Sequence, residues 1–145
     1  MSIRNAEATW IGSLKEGQGN MKAGSGAFDL PFTWGTRFGD DPGTNPEELI
    51  GAAQAGCFTM FLSARLTAAG FVPDELHTRA AVYLGSDDIG PLIEKIELTL
   101  TARVPGISRE KFDEEVAVSK KNCPISRALA NIEEFEVHAT LLTHL

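Results

Sequence analysis

Cysteine is scarce in this chain of 145 residues, with two in all, Cys57 and Cys123. They lie too far apart for a CxxC redox pair or a zinc knuckle by local spacing. Only the fold can make them act together. Other absences narrow the function. There is no Lys/Arg cluster, the electrostatic footprint of a nucleic-acid or anionic-membrane binder. No uninterrupted apolar run approaches the roughly 20 residues of a membrane span, because Gln54, Thr59, Ser63 and Arg65 break the most apolar segment. The opening MSIRNAEATW lacks a continuous apolar h-region, so no signal peptide is expected. GxSxG, P-loop and GxGxxG motifs are missing, which removes common hydrolase and nucleotide-binding classes. The three histidines, His77, His138 and His144, share no metal-ligand spacing, so no metal is expected. Internal repeats, linkers and low-complexity runs are also missing.

What remains is a chain of globular composition, 43% hydrophobic and 23% charged, with a net charge of −7. Its length suits one domain over residues 1–145. The expected compartment is the cytoplasm, where thiols stay reduced and reversible thiol chemistry is favoured over a permanent disulfide.

The N-terminal third predicts strands over Ala6–Leu14 and Gly19–Ala23, with KEGQG turning between them. A third strand then runs into a loop near Gly35–Gly43. The strongest element signal is a helix from Asn45 to Gly70. Asn45 suits the N-cap and Pro46 the first turn, where Glu47 and Glu48 meet the positive end of the dipole. Glu48 is spaced to reach back in a capping box. Gly70 is the natural stop. Between them apolar residues surround most of the helix, which predicts burial and, in so short a chain, cover from a second subunit. Leu76, Thr78, Ala80, Val82 and Leu84 alternate with polar residues, as do Ile96, Leu98, Leu100, Ala102 and Val104. Both read as half-buried strands joined by a GSDDIGP hairpin. Ser108 caps a helix to about Lys121, a short helix starts near Pro124, and Phe135–Leu141 alternates again. The order β-β-β-α-β-β-α-α-β is α+β, because helices do not regularly separate the strands.

Each cysteine has two readings. Cys57 is either a small apolar filler in a buried helix or a nucleophile. A nucleophile must ionise near neutral pH, and burial opposes that, so a cation must be close. Arg37, in the loop before the helix, is the local candidate. Cys123, in Asn122-Cys123-Pro124, sits at a helix start, where backbone amides favour an anion. It is either a cap without chemistry or, by local electrostatics, the more acidic thiol. Glu47 and Glu48 would favour the helix start whatever else they do.

Four pieces carry a resemblance: TRF with Arg37, GTNPEELIGAAQAGCFTM with Cys57, VPGI at 104–107 and CPIS with Cys123. In order and spacing, over essentially the whole chain, the sequence resembles the OsmC/Ohr family of osmotically inducible and organic hydroperoxide resistance proteins, on the OsmC side. The resemblance implies an OsmC-like α+β fold with a long buried central helix in an intertwined homodimer. It implies a thiol peroxidase of oxidative and osmotic stress, without metal, haem or other cofactor, that reduces organic hydroperoxides and hydrogen peroxide less well. Cys57 corresponds to the peroxidatic cysteine, Cys123 to the resolving one, Arg37 to the arginine that stabilises the thiolate, and Glu47 to the glutamate that orients it. A dithiol returns the enzyme to its reduced state, and lipoylated proteins serve in some members. Phe58, Met60 and Phe61 are the expected apolar lining for the substrate. Glu47 and Cys57 are separated by about 15 Å of helical rise, so they cannot touch within that helix, and a two-fold dimer with crossing central helices would bring Glu47 of one subunit near Cys57 of the other. The rival readings are a dimer that binds an apolar ligand without turnover, and a thiol redox sensor.

Overall fold

The structure, a computed structural model, describes residues 1–143. His144 of the sequence reading lies outside the described residues. The chain forms two compact units, one from Met1 to Leu49 and one from Ile50 onward.

In the first unit, β1 (Ala6–Ile11), β2 (Gln18–Ala23) and β3 (Asp29–Phe32) form an antiparallel meander in the order β1-β2-β3. The first strand ends earlier than the sequence suggests, at Ile11, because Gly12 turns the chain with φ of 96°. Trp10 and Phe32 meet across Gly19 as a tilted pair, with ring centroids 5.3 Å apart. A Cβ on Gly19 would lie 2.5 Å from Trp10, so only glycine lets both rings approach the strand.

The expected loop after β3 begins instead with a five-residue helix, α1 (Trp34–Phe38). The reason is a reciprocal cap. Thr33 Oγ1 accepts from the Thr36 amide at 3.2 Å, and Thr36 Oγ1 accepts from the Thr33 amide at 2.9 Å. A short segment with Gly35 inside has weak helix propensity, and this pair of threonines supplies what composition lacks.

Helix α2 (Pro46–Ala68) follows the sequence reading closely. Asn45 Oδ1 caps it by accepting from the Glu48 amide at 2.8 Å. The Glu48 carboxylate departs from expectation. It takes the Thr44 hydroxyl at 2.7 Å and forms no capping box with Asn45. At the other end Gly70, with φ of 93°, lets the Phe71 amide reach Leu66 O and the Gly70 amide reach Thr67 O. These two bonds are the Schellman pattern that closes a helix.

The second unit holds a sheet in the order β4-β5-β6, made of β4 (Glu75–Ser86), β5 (Pro91–Arg103) and β6 (Glu134–Leu141). β4 and β5 are antiparallel and β5 and β6 parallel, so β6 needs a crossover. That crossover carries α3 (Arg109–Asn122) and α4 (Pro124–Ala128). The alternation read in all three strands is present: Ile96, Leu98, Leu100 and Ala102 face inward, and Arg79, Ala81 and Tyr83 face out. Phe58, Leu62 and Leu66, at successive turns of α2, join them with Phe112 and Val116 of α3 in one core. Each such side chain contributes about 1.5–3 kcal/mol on burial. The α+β class is as read, with α1 added to the order.

Within one chain, α2 is only partly covered, as the sequence reading anticipated. Its apolar surface is wide, but within the chain only one face is buried. Ala52, Ala53, Gly56, Met60 and Ala64 stay exposed, Met60 at 77%. A single three-stranded sheet covers one side of a helix, and the other side stays open.

Candidate active site

Cys57 and Cys123 are neighbours. Cys57 lies on α2, half-buried, one residue before the core residue Phe58. Cys123 is fully buried at the junction of α3 and α4. Its backbone ends one helix, with the Cys123 amide donating to Ser119 O at 3.2 Å. Its side chain starts the next, with Sγ accepting from the Ser126 amide at 3.4 Å. The start-of-helix position read for Cys123 is therefore present. Both thiols are free, and they lie near enough for the Cys123 sulfur to bear on the Cys57 thiol.

The surroundings act on Cys57 in opposite directions. Burial pushes its thiol up, the Ile125 amide pulls it back, and the adjoining Cys123 raises it again, for a net upward shift.

Two residues missed by the sequence reading complete the thiol pair. Gln54 is one turn before Cys57 on α2 and 1% exposed. Its Nε2 donates to Ser126 Oγ at 2.9 Å and lies 3.6 Å from Cys123 Sγ. Ser126 Oγ itself is 3.0 Å from Cys123 Sγ. The available signal was a lone glutamine within an otherwise apolar helix face. Alone, it reads only as a break in that face.

The second candidate pair sits in the first unit. Arg37, on α1, donates from Nε at 3.1 Å and from Nη2 at 2.9 Å to Glu47 Oε1, in the first turn of α2. Asn45 brings the two helices together: it caps α2 and its Nδ2 donates to Thr36 O at 2.9 Å. Glu47 is buried, while the Arg37 side chain remains 37% exposed.

The three expected lining residues differ in burial. Phe58 is fully buried in the core, Phe61 packs at its edge, and Met60 points outward. Successive residues on a helix turn by about 100°, so Phe58 and Phe61 lie on nearby faces while Met60 points elsewhere. Met60 does line an open depression of about 620 Å³ with Gly56, Thr59 and His77.

His138 also has neighbours that spacing did not reveal. Parallel pairing of β5 and β6 sets Glu97 opposite Glu136, and His138 joins them, with the three ligand atoms within 4.8 Å of one another. The Lys95 ammonium already bonds both carboxylates at 3.2 Å, so a cation is in place.

Fold and thiol pair together define a two-cysteine protein on an α+β scaffold, with one sulfur accessible and the other enclosed. Residues 39–138 match the OsmC-like protein family, and the chain belongs to that family. It is 43% identical over 127 residues to peroxiredoxin OsmC of Escherichia coli (strain K12), covering 87% of this chain and 89% of that protein. Solved structures share the fold. The organic hydroperoxide resistance protein OhrB of Bacillus subtilis superposes with a TM-score of 0.68 at 24% identity, over 95% of this chain and 98% of that one. An OsmC-like protein from Mycoplasma pneumoniae reaches a TM-score of 0.76 at 16% identity, over 98% and 99%.

Proposed function

We propose that this protein is a cysteine peroxidase that reduces organic hydroperoxides to alcohols, with Cys57 as the attacking thiol and Cys123 as the resolving one. The observation that carries the reading is the proximity of two free thiols of unequal exposure. The family supports it, since relatives are named a peroxiredoxin and organic hydroperoxide resistance proteins.

In this reading the Cys57 thiolate attacks one oxygen of the peroxide. The O–O bond breaks, the alkoxide takes a proton and leaves as alcohol, and Cys57 becomes a sulfenic acid. The Cys123 sulfur then attacks the Cys57 sulfur, the hydroxyl leaves as water, and a disulfide forms. A dithiol reductant reopens it by exchange and is itself oxidised to a disulfide.

Burial pushes the Cys57 thiol up, and a nearby cation would favour the reactive thiolate. Arg37, steadied by Glu47, is the assigned source of that cation. The open face of α2 supports a homodimer as the working unit, with Gly56 and Met60 at the contact. Small side chains there allow two helices to approach closely.

Turnover of cumene hydroperoxide with dithiothreitol tests the reading against a redox sensor or a passive binder. Wild-type protein should consume many equivalents, and Cys57→Ser none. Consumption of one equivalent or fewer by wild type would refute a peroxidase.

A further inference from the structure

Gln54 and Ser126 surround the buried Cys123 sulfur with hydrogen-bond donors. The Ser126 amide stands 3.4 Å from Sγ, the Ser126 hydroxyl 3.0 Å and Gln54 Nε2 3.6 Å. Gln54 also donates to Ser126 Oγ at 2.9 Å. That bond occupies an acceptor site on the hydroxyl and leaves its proton free to turn to the sulfur. The amide group of Gln54 comes from α2, far from Cys123 in sequence, so the cluster is made by tertiary packing and not by the local cap alone. A polar side chain 1% exposed on the core face of a helix is costly unless it is satisfied, and here its donors are spent on Cys123 and its neighbour. The peroxide step as described leaves this cluster without a task, because the sulfur that attacks peroxide is Cys57.

We propose that Gln54 and Ser126 form a cradle that receives the Cys123 sulfur as the leaving thiolate when the disulfide is reduced, and so direct the incoming dithiol to Cys57. The proposal rests on the roles assigned above to the two cysteines. The step balances as an ordinary exchange. One thiolate of the dithiol attacks Cys57 Sγ along the S–S axis, a mixed disulfide to Cys57 forms, and the bonding pair passes to Cys123 Sγ. The second thiol of the reductant then attacks its own mixed sulfur, releasing Cys57 and a cyclic disulfide. Exchange is faster when the leaving sulfur is better stabilised, and attack needs access to the other sulfur. Both requirements select the same direction here. Cys57 is the partly exposed partner, and Cys123 is the enclosed one with donors around it. Gln54 acts on the sulfur through Nε2 and also through Ser126, whose hydroxyl it orients.

The test separates the two half-reactions by stopped flow. Reduced protein is mixed with cumene hydroperoxide, and separately oxidised protein is mixed with dithiothreitol. Gln54→Leu keeps the volume and removes the donor. It should leave the peroxide step within about twofold and slow disulfide reduction by about tenfold, the usual scale for one hydrogen bond to an anion. Ser126→Ala should slow the same half-reaction and serves if Gln54→Leu folds poorly. The site of entry is read by mixing oxidised protein with glutathione, quenching in acid, and mapping the adduct by peptide mass. Wild type should carry it on Cys57, and the Gln54→Leu protein should show a share on Cys123 that a merely structural defect would not produce. Reduction at the wild-type rate in both variants, or a wild-type adduct on Cys123, would overturn the proposal while leaving the peroxidase reading intact. If peroxide produces no Cys57–Cys123 disulfide in wild type, the assigned roles fail and the cradle fails with them.

Discussion

Arg37 gives two of its N–H groups to a single oxygen of Glu47, and the other oxygen, Oε2, is buried with no hydrogen-bond partner among the described residues. The pair is thus a one-oxygen grip and not a fork on a fork. Nη1 of Arg37 takes no part in it, and more than a third of the side chain is open. A guanidinium held in this way keeps donors and charge for another anion. Glu47 fixes its orientation.

From this follows the behaviour of the pair. In the proposed dimer, Arg37→Ala should raise the Cys57 pKa, the usual effect of losing one close cation. Near neutral pH the rate of attack on peroxide should fall by about 10- to 1000-fold, because only the thiolate reacts. Raising the pH should recover part of it. Glu47→Ala should be milder, since it disturbs orientation and removes no positive charge. Stopped-flow rates against pH check both, and an unchanged profile in Arg37→Ala would place thiolate activation elsewhere.

The resolving role proposed for Cys123 would leave a mass signature. Cys123→Ser should reduce one equivalent of peroxide and then stop at Cys57 sulfenic acid, which excess peroxide drives on to the sulfinic form. Intact-mass spectra should gain one and then two oxygen atoms. A variant that cycles normally with dithiothreitol would show that Cys123 is dispensable.

A homodimer should be the species at micromolar concentration. Met60→Glu sets a charge on the open face of α2 and should shift sedimentation towards monomer, with little effect on the internal core, because Met60 is outside it. Sedimentation as a monomer in wild type would refute the dimer.

Activity should survive chelation. EDTA should leave the peroxidase rate unchanged, because the proposed chemistry needs only sulfur and a guanidinium. Loss of activity restored by a divalent ion would point instead to Glu97, Glu136 and His138.

Glu115 should make stability depend on acid. It is 1% exposed, and burial alone would raise its pKa, but Arg65 at 2.7 Å and Lys111 at 2.9 Å overcome that and hold it below the ordinary carboxylate value of 4.5. A carboxylate lowered in the folded state adds stability above its unfolded pKa and loses it as pH falls through the folded one. Wild type should therefore lose stability below about pH 4.5, and Glu115→Gln should lose less over that range. At pH 7 the substitution should cost about 1–3 kcal/mol, seen in urea midpoints.

Local signals made much of the architecture legible. Asn45, Pro46 and Gly70 mark α2 because caps and positive φ are properties of single residues. The strands β4, β5 and β6 announce themselves through alternation, since side chains on a strand change face at every step. Helix α1 was hidden because its two threonines act only as a reciprocal pair, and turn residues mask them. The four family pieces identified the chain from order and spacing alone.

Sequence by itself determined the α+β class, the long central helix, the two thiols and the candidate residues Arg37 and Glu47. Tertiary structure decided which groups meet. It put Cys57 beside Cys123, closed Gln54 and Ser126 around the buried sulfur, and drew Glu97, Glu136 and His138 together with Lys95. It also buried one face of an all-round apolar helix and left the other open. The physical reason is range. Propensity, capping and periodicity act over a few residues and are written locally, whereas hydrogen bonds between distant side chains, and the burial that shifts a thiol, exist only after packing has chosen the neighbours.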